Sequence, residues 1–80
     1  MYYVYLLLSE RGEKYIGYTK DLKRRLREHE RGEVRWTRGR KWELVYFEGY
    51  REEFLARKRE RKLKSQWRLR AALYRRAGLK

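Results

Sequence analysis

Tyr2-Tyr3-Val4-Tyr5-Leu6-Leu7-Leu8 is the stretch that decides how this chain folds. Strand residues alternate faces, so Tyr3, Tyr5 and Leu7 share one side while Tyr2, Val4, Leu6 and Leu8 share the other. Both sides are apolar or aromatic, which predicts a strand covered on each face, central rather than at an edge. Ser9-Glu10-Arg11-Gly12-Glu13 follows, a polar connection of hairpin length, and Lys14-Tyr15-Ile16-Gly17-Tyr18-Thr19 reads as the second strand. Antiparallel pairing across that connection brings Tyr5 near Tyr15, two phenols on one sheet face.

Beyond the hairpin, Thr19 or Asp21 can cap a helix running from Asp21 to Arg31 and stopped by Gly32. Leu22 and Leu26 form its narrow apolar stripe. Arg25 and His29, also four apart, lie along the border of that stripe, where a side chain can reach a cleft on the sheet. Residues Gly32 to Lys41 have no period and read as a basic loop with one exposed Trp36. Trp42 to Tyr50 is rich in aromatic and β-branched residues and reads as a third strand, less buried than the first because Glu43 and Glu48 sit near its ends.

The remainder is helical by composition, with one helix over Glu52 to Lys64, a break at Ser65-Gln66, and a last helix through Trp67, Leu69, Leu73 and Tyr74 that frays at Ala77-Gly78. Ala56, Glu60, Leu63 and, if the helix continues, Trp67 fall within about 60° of one another on a helical wheel. Glu60 thus lies in an apolar seam. The fold class expected is α+β, a three-stranded, mostly antiparallel sheet flanked by helices in the order β-β-α-β-α-α. Eighty residues suit one domain, residues 1–80, with a small core.

The chain has 24 Lys plus Arg against 11 Asp plus Glu, a net charge of +13. A field of that size attracts polyanions, and basic residues interleaved with three Trp and eight Tyr point to a folded nucleic-acid binder. With no long apolar run, signal peptide or lipidation motif, a membrane surface is not the expected partner and the cytoplasm is the expected location. Zero Cys and a single His exclude disulfides and thiolate chemistry and make a zinc site unworkable, so any metal would be held by oxygen. Lys20, Lys23, Arg24, Arg27, Arg35, Arg38 and Arg40 would supply sequence-independent phosphate contacts, with Trp36 stacking on a base.

Taken together, the motifs resemble the GIY-YIG nuclease superfamily, in particular its small single-domain YhbQ-like branch. Tyr3-Val4-Tyr5 stands where the first motif would be, with Tyr3 in place of its Gly, and Tyr15-Ile16-Gly17 is the second motif unaltered. Arg25 and His29 follow at the fitting spacing within Asp21 to His29. Later blocks match in His29-Glu30-Arg31-Gly32 with Trp36-Thr37-Arg38, and in Ala56-Arg57-Lys58-Arg59-Glu60 with Leu63-Lys64. No clear Asn is present in the last helix, unlike some larger relatives.

The resemblance implies a metal-dependent phosphodiesterase acting on DNA by nicking or structure-selective cleavage, in repair or processing. It implies Tyr5 and Tyr15 at the reacting phosphate, Arg25 on its oxygens, and Glu60 as the one protein ligand to a single Mg²⁺ or Mn²⁺ ion. Tyr5 either ionises as a general base or stays protonated and orients a metal-bound hydroxide, since a free phenol has a pKa of about 10. His29 either shuttles a proton or contacts phosphate, or serves a structural role at the helix C-terminus. Glu60 either holds the metal or pairs with Arg57 or Lys64 at helical spacing. Tyr2, Tyr18, Tyr46 and Tyr50 are expected to pack on the sheet with hydroxyls in solvent. The alternative to a nuclease is a non-catalytic basic nucleic-acid-binding module, associated with RNA or DNA.

Overall fold

In the computed structural model, which describes residues 1–79, the order of elements is β1 (Tyr2–Ser9), β2 (Lys14–Thr19), α1 (Leu22–Glu30), a 3₁₀ turn (Arg35–Thr37), β3 (Trp42–Tyr50), α2 (Glu53–Ser65) and α3 (Trp67–Arg76). The sheet runs β2-β1-β3 with both pairings antiparallel, so the doubly apolar strand is the central one. Val4, Tyr5, Leu6 and Leu7 are all buried, because each face of β1 has its own cover. Val4 and Leu6 meet Ile16, Ala56, Leu63 and Leu73 in the main core, where each fully buried aliphatic side chain stabilises the fold by about 1.5–3 kcal/mol.

Local chemistry sets the joints. Ser9 closes the β1–β2 hairpin: its Oγ accepts from the amides of Arg11 and Glu13 and donates to the Glu13 carboxylate. Asp21 caps α1 by accepting from the Arg24 amide at 3.0 Å. Gly32, at φ 72°, turns the chain away from the end of α1. In β3 the register slips between Leu6 and Leu7, whose partners are Tyr46 and Leu44, so Val45 is an extra residue in that strand.

Several expectations are corrected by tertiary packing. The break between the last two helices falls on Gln66 alone, which is extended, so α3 starts afresh at Trp67 and that indole is 66% exposed instead of joining the Ala56–Leu63 seam. Arg70 stabilises the break by donating from Nη1 to the terminal carbonyls of Leu63 and Lys64, at 2.8 and 2.9 Å. The loop after Gly32 contains a 3₁₀ turn that buries Thr37 completely. The hydroxyls of Tyr18, Tyr46 and Tyr50 do not end in solvent: Tyr18 donates to Glu53 and the other two donate to Glu48. Glu48 also receives both Nε and Nη2 of Arg59 at 2.9 Å, so an acid expected at an open strand end is a mostly covered anchor between β3 and α2.

Candidate active site

Tyr5 issues from the centre of β1 and pairs across the ladder with Gly17, while Tyr15 lies opposite Leu7. The two phenols are therefore diagonal neighbours, with ring centroids 6.3 Å apart. A methyl group on Gly17 would sit 2.8 Å from Cε1 of Tyr5 and nearer still to its Cζ and hydroxyl. The second motif's glycine is thus a matter of space, not of backbone conformation: the Tyr5 ring lies directly over it, leaning toward the outer edge of β2.

α1 delivers two side chains to that ring. The Tyr5 hydroxyl is 2.9 Å from Nε2 of His29, and Arg25 donates from Nε to the same oxygen at 3.4 Å. Arg25 also donates from Nη1 to Glu28 at 2.9 Å, which holds the guanidinium in place. His29 is 4% exposed and not, as its helix position suggested, at the border with solvent. Its Nδ1 lies 2.7 Å from Oγ1 of Thr37, and the Thr37 hydroxyl points at the Val34 carbonyl. Thr37 gives its proton to the Val34 carbonyl and so accepts from Nδ1–H, which leaves Nε2 to accept the proton of the phenol. Trp42 braces this turn by donating from Nε1 to the Thr37 carbonyl at 2.8 Å.

The electrostatics follow from that burial. Desolvation holds the Tyr5 phenol up to about 12 despite the lowering hydrogen bond from Arg25, and the negative charge of Glu60 acts on it in the same upward direction. Desolvation, then the charge of Arg25, pushes His29 down to about 4, so the ring is a neutral acceptor at pH 7. Burial works against the charge on Arg25, but the hydrogen bonds to Glu28 and Tyr5 outweigh it and raise its pKa. Tyr15 completes the cluster by standing edge-on to His29 at 5.2 Å.

Glu60 lies on α2, whose residues Ala56 and Leu63 anchor that helix to the opposite sheet face, and it bears on the cluster through its charge, the smallest of the effects on the Tyr5 phenol. Its Oε2 pairs with Lys64 at 3.1 Å. No group of three or more His, Asp or Glu side chains converges among the described residues. A lone carboxylate suits a hard, largely hydrated cation such as Mg²⁺, which keeps most of its own waters, and does not fit zinc.

The residues expected to touch nucleic acid divide. Lys20 and Arg24 join Arg25 and Arg57 around a shallow recess at the Thr19 end of β2. Lys23, Arg27 and Arg35 are exposed on α1 and the 3₁₀ turn, and Trp36 is 76% exposed. Arg38 instead spends its Nε on the Gly32 carbonyl, and Arg40 is bound to Glu13 at 2.7 Å while lying over the Trp42 ring. Two participants were missed by sequence reasoning, Thr37 and Gly17 as a spacer. A lone His needs a partner on its second nitrogen, and that need was the signal that could have pointed to Thr37.

A family model described as the GIY-YIG catalytic domain matches residues 1–72. The UPF0213 protein of Haloquadratum walsbyi is 42% identical over 66 residues, 80% of this chain and 74% of that protein. The UPF0213 protein of Natronomonas pharaonis is 41% identical over 66 residues, 80% of this chain and 78% of its own. The solution NMR structure of a UPF0213 protein from Bacillus halodurans superposes with a TM-score of 0.61 at 31% identity, over 98% of this chain and 88% of that one. The matched domain is of nuclease type: the family's nucleases act on nucleic acid and typically use a divalent metal. By sequence, by fold and by the order of its motifs, the chain belongs to the GIY-YIG family.

Proposed function

We propose that this protein is a divalent-metal-dependent endonuclease that cleaves phosphodiester bonds of DNA. The observation that carries the reading is the Tyr5 hydroxyl, held between a neutral His29 and a cationic Arg25 with the charge of Glu60 acting on it. Hydrolysis needs a base for water, positive charge on the phosphate oxygens, and relief of charge on the departing oxygen. Because Tyr5 donates to Nε2, its oxygen has a lone pair free to accept a water proton as the phenolic proton passes to His29. At rest that proton stays on oxygen, since burial holds the phenol high and the imidazole low. Arg25, charged throughout and with Nε on Tyr5 and Nη1 on Glu28, would offer Nη2 to a phosphate oxygen. Tyr15 walls the cluster, and Thr37 keeps the imidazole in the accepting tautomer. Glu60 would hold the Mg²⁺ or Mn²⁺ ion, which when bound supplies positive charge that offsets the phosphate's and lowers the pKa of groups beside it.

The test is nicking of supercoiled plasmid in Mg²⁺ or Mn²⁺. Tyr5→Phe, Arg25→Ala and Glu60→Ala are each expected to abolish nicking while gel-shift binding survives. Equal nicking by wild type and all three variants overturns the assignment. Binding without cleavage by the wild type, across duplex, branched and single-stranded substrates, would favour the non-catalytic module.

A further inference from the structure

The outer edge of β2 is unpaired, and its two ends differ in chemistry. At the Thr19 end, Lys20, Arg24, Arg25 and Arg57 gather with few flat faces on offer: the Tyr18 ring is covered by the Arg57 guanidinium at 4.5 Å, and its hydroxyl is bound to Glu53. At the Lys14 end a groove of about 510 Å³ opens between the strand, the 3₁₀ turn and α3. Tyr15, Trp36, Trp42 and Tyr74 line it, interleaved with cations; Lys14 rides over the Tyr74 ring at 5.2 Å and Arg40 over Trp42 at 5.7 Å, which leaves Trp36 as the open ring. The lining holds four cations and one acid; Arg40 pairs with Glu13 and Lys64 with Glu60, so Lys14 and Arg70 carry the positive excess. Trp36, the most exposed large apolar side chain in the protein, hangs over this groove and not over the main core.

A tryptophan left open beside clustered cations suits a ligand that is both anionic and flat. In a duplex the base faces are covered by their neighbours and only phosphates are on offer. In a single strand the bases are free to stack on aromatic rings while the phosphates meet Lys and Arg. We infer that the groove at the Lys14 end of β2 binds unpaired nucleotides, so that the strand to be cut enters the Tyr5–Tyr15 cluster with a single-stranded flank on this side. The direction of entry rests on the proposed nuclease reading, because Tyr15 belongs to both the cluster and the groove. The binding does not. Substrates of the protein are then nucleic acids with unpaired segments, such as flaps, overhangs and splayed junctions, and not continuous duplex.

The intact protein in EDTA, which separates binding from cleavage, is titrated with a 12-nucleotide single strand of DNA, the same strand as RNA, and the blunt duplex, at one salt concentration. The single strand should quench tryptophan fluorescence and bind at least tenfold tighter than the duplex. Trp36→Ala should lose most of the quenching and about tenfold in single-strand affinity, leaving duplex affinity unchanged. Trp67→Ala, at a widely exposed indole off the groove, should bind as the wild type does. Comparable RNA binding supports the same site, since stacking does not read the 2′-hydroxyl, and tighter RNA binding supports it with RNA as the source of the strand. Duplex binding as tight as single-strand binding, or equal losses on both substrates in Trp36→Ala, overturns the inference. A protein that passes this test yet nicks nothing refutes the nuclease and leaves the groove standing; one that nicks but fails it does the reverse.

Discussion

Gly17→Ala is the substitution whose consequence the geometry fixes most tightly. The added methyl would stand 2.8 Å from Cε1 of Tyr5, against an ordinary carbon–carbon contact of about 3.5–4.0 Å, so the ring must retreat by roughly 1 Å. It has nowhere to go, because Tyr5 is 1% exposed and backed by His29 and Arg25. Overpacking of this kind costs about 1–3 kcal/mol, and a displaced rotamer with a broken hydrogen bond adds roughly another 1 kcal/mol. Alanine recovers about 0.5–1 kcal/mol through its lower unfolded-state entropy. The net is a loss of about 1–3.5 kcal/mol, or roughly 5–25 °C in melting temperature for a chain of this size. Urea denaturation of a four-member cycle measures it: wild type, Gly17→Ala, Tyr5→Ala and the double variant. With Tyr5 already truncated, Gly17→Ala should cost nothing or stabilise slightly. An equal penalty in both backgrounds would refute the idea that the glycine exists to admit the phenol. Nicking by Gly17→Ala should fall at least a hundredfold, tracking the misplaced hydroxyl.

Other outcomes follow from the same cluster. His29 is the only histidine, so its ring protons titrate without overlap in an NMR spectrum, and the midpoint should lie near 4 instead of 6.5. A depressed folded pKa means the unfolded chain binds the extra proton first: the contribution, about 2–3 kcal/mol, is complete above 6.5 and is lost as pH falls from there to 4. His29→Phe should flatten that part of the stability profile, and an unchanged profile would show that another group is responsible. Thr37→Val removes the acceptor for Nδ1 while keeping volume, so kcat should drop at least tenfold with KM little changed, as kinetics on a nicked-plasmid assay would reveal. Arg25→Lys keeps the charge but not the pair of bonds from Nε to Tyr5 and from Nη1 to Glu28, and should not restore the activity lost in Arg25→Ala. Lys64→Met removes the cation paired to Glu60, an exposed pair worth under about 1 kcal/mol, so calorimetric Mn²⁺ binding should tighten by about two- to fivefold.

Much of this fold was legible because periodicity records burial. Two apolar faces on Tyr2 to Leu8 can only be satisfied at the centre of a sheet with cover above and below, and β1 lies between β2 and β3 under helices on each face. Asp21 and Gly32 mark the ends of α1 through local backbone chemistry that needs no distant partner. Spacing also put Arg25 and His29 on one side of that helix, and both meet Tyr5. What periodicity does not record is which polar atom answers which across the fold. That Tyr5 lies over Gly17, that an aperiodic loop turns Thr37 inward to hold His29, that Glu48 is gripped by Arg59, and that Gln66 releases Trp67 from the seam all depend on register and on loop path. Those are settled only when remote segments pack, because a buried donor must find its acceptor wherever the completed fold has brought one within reach.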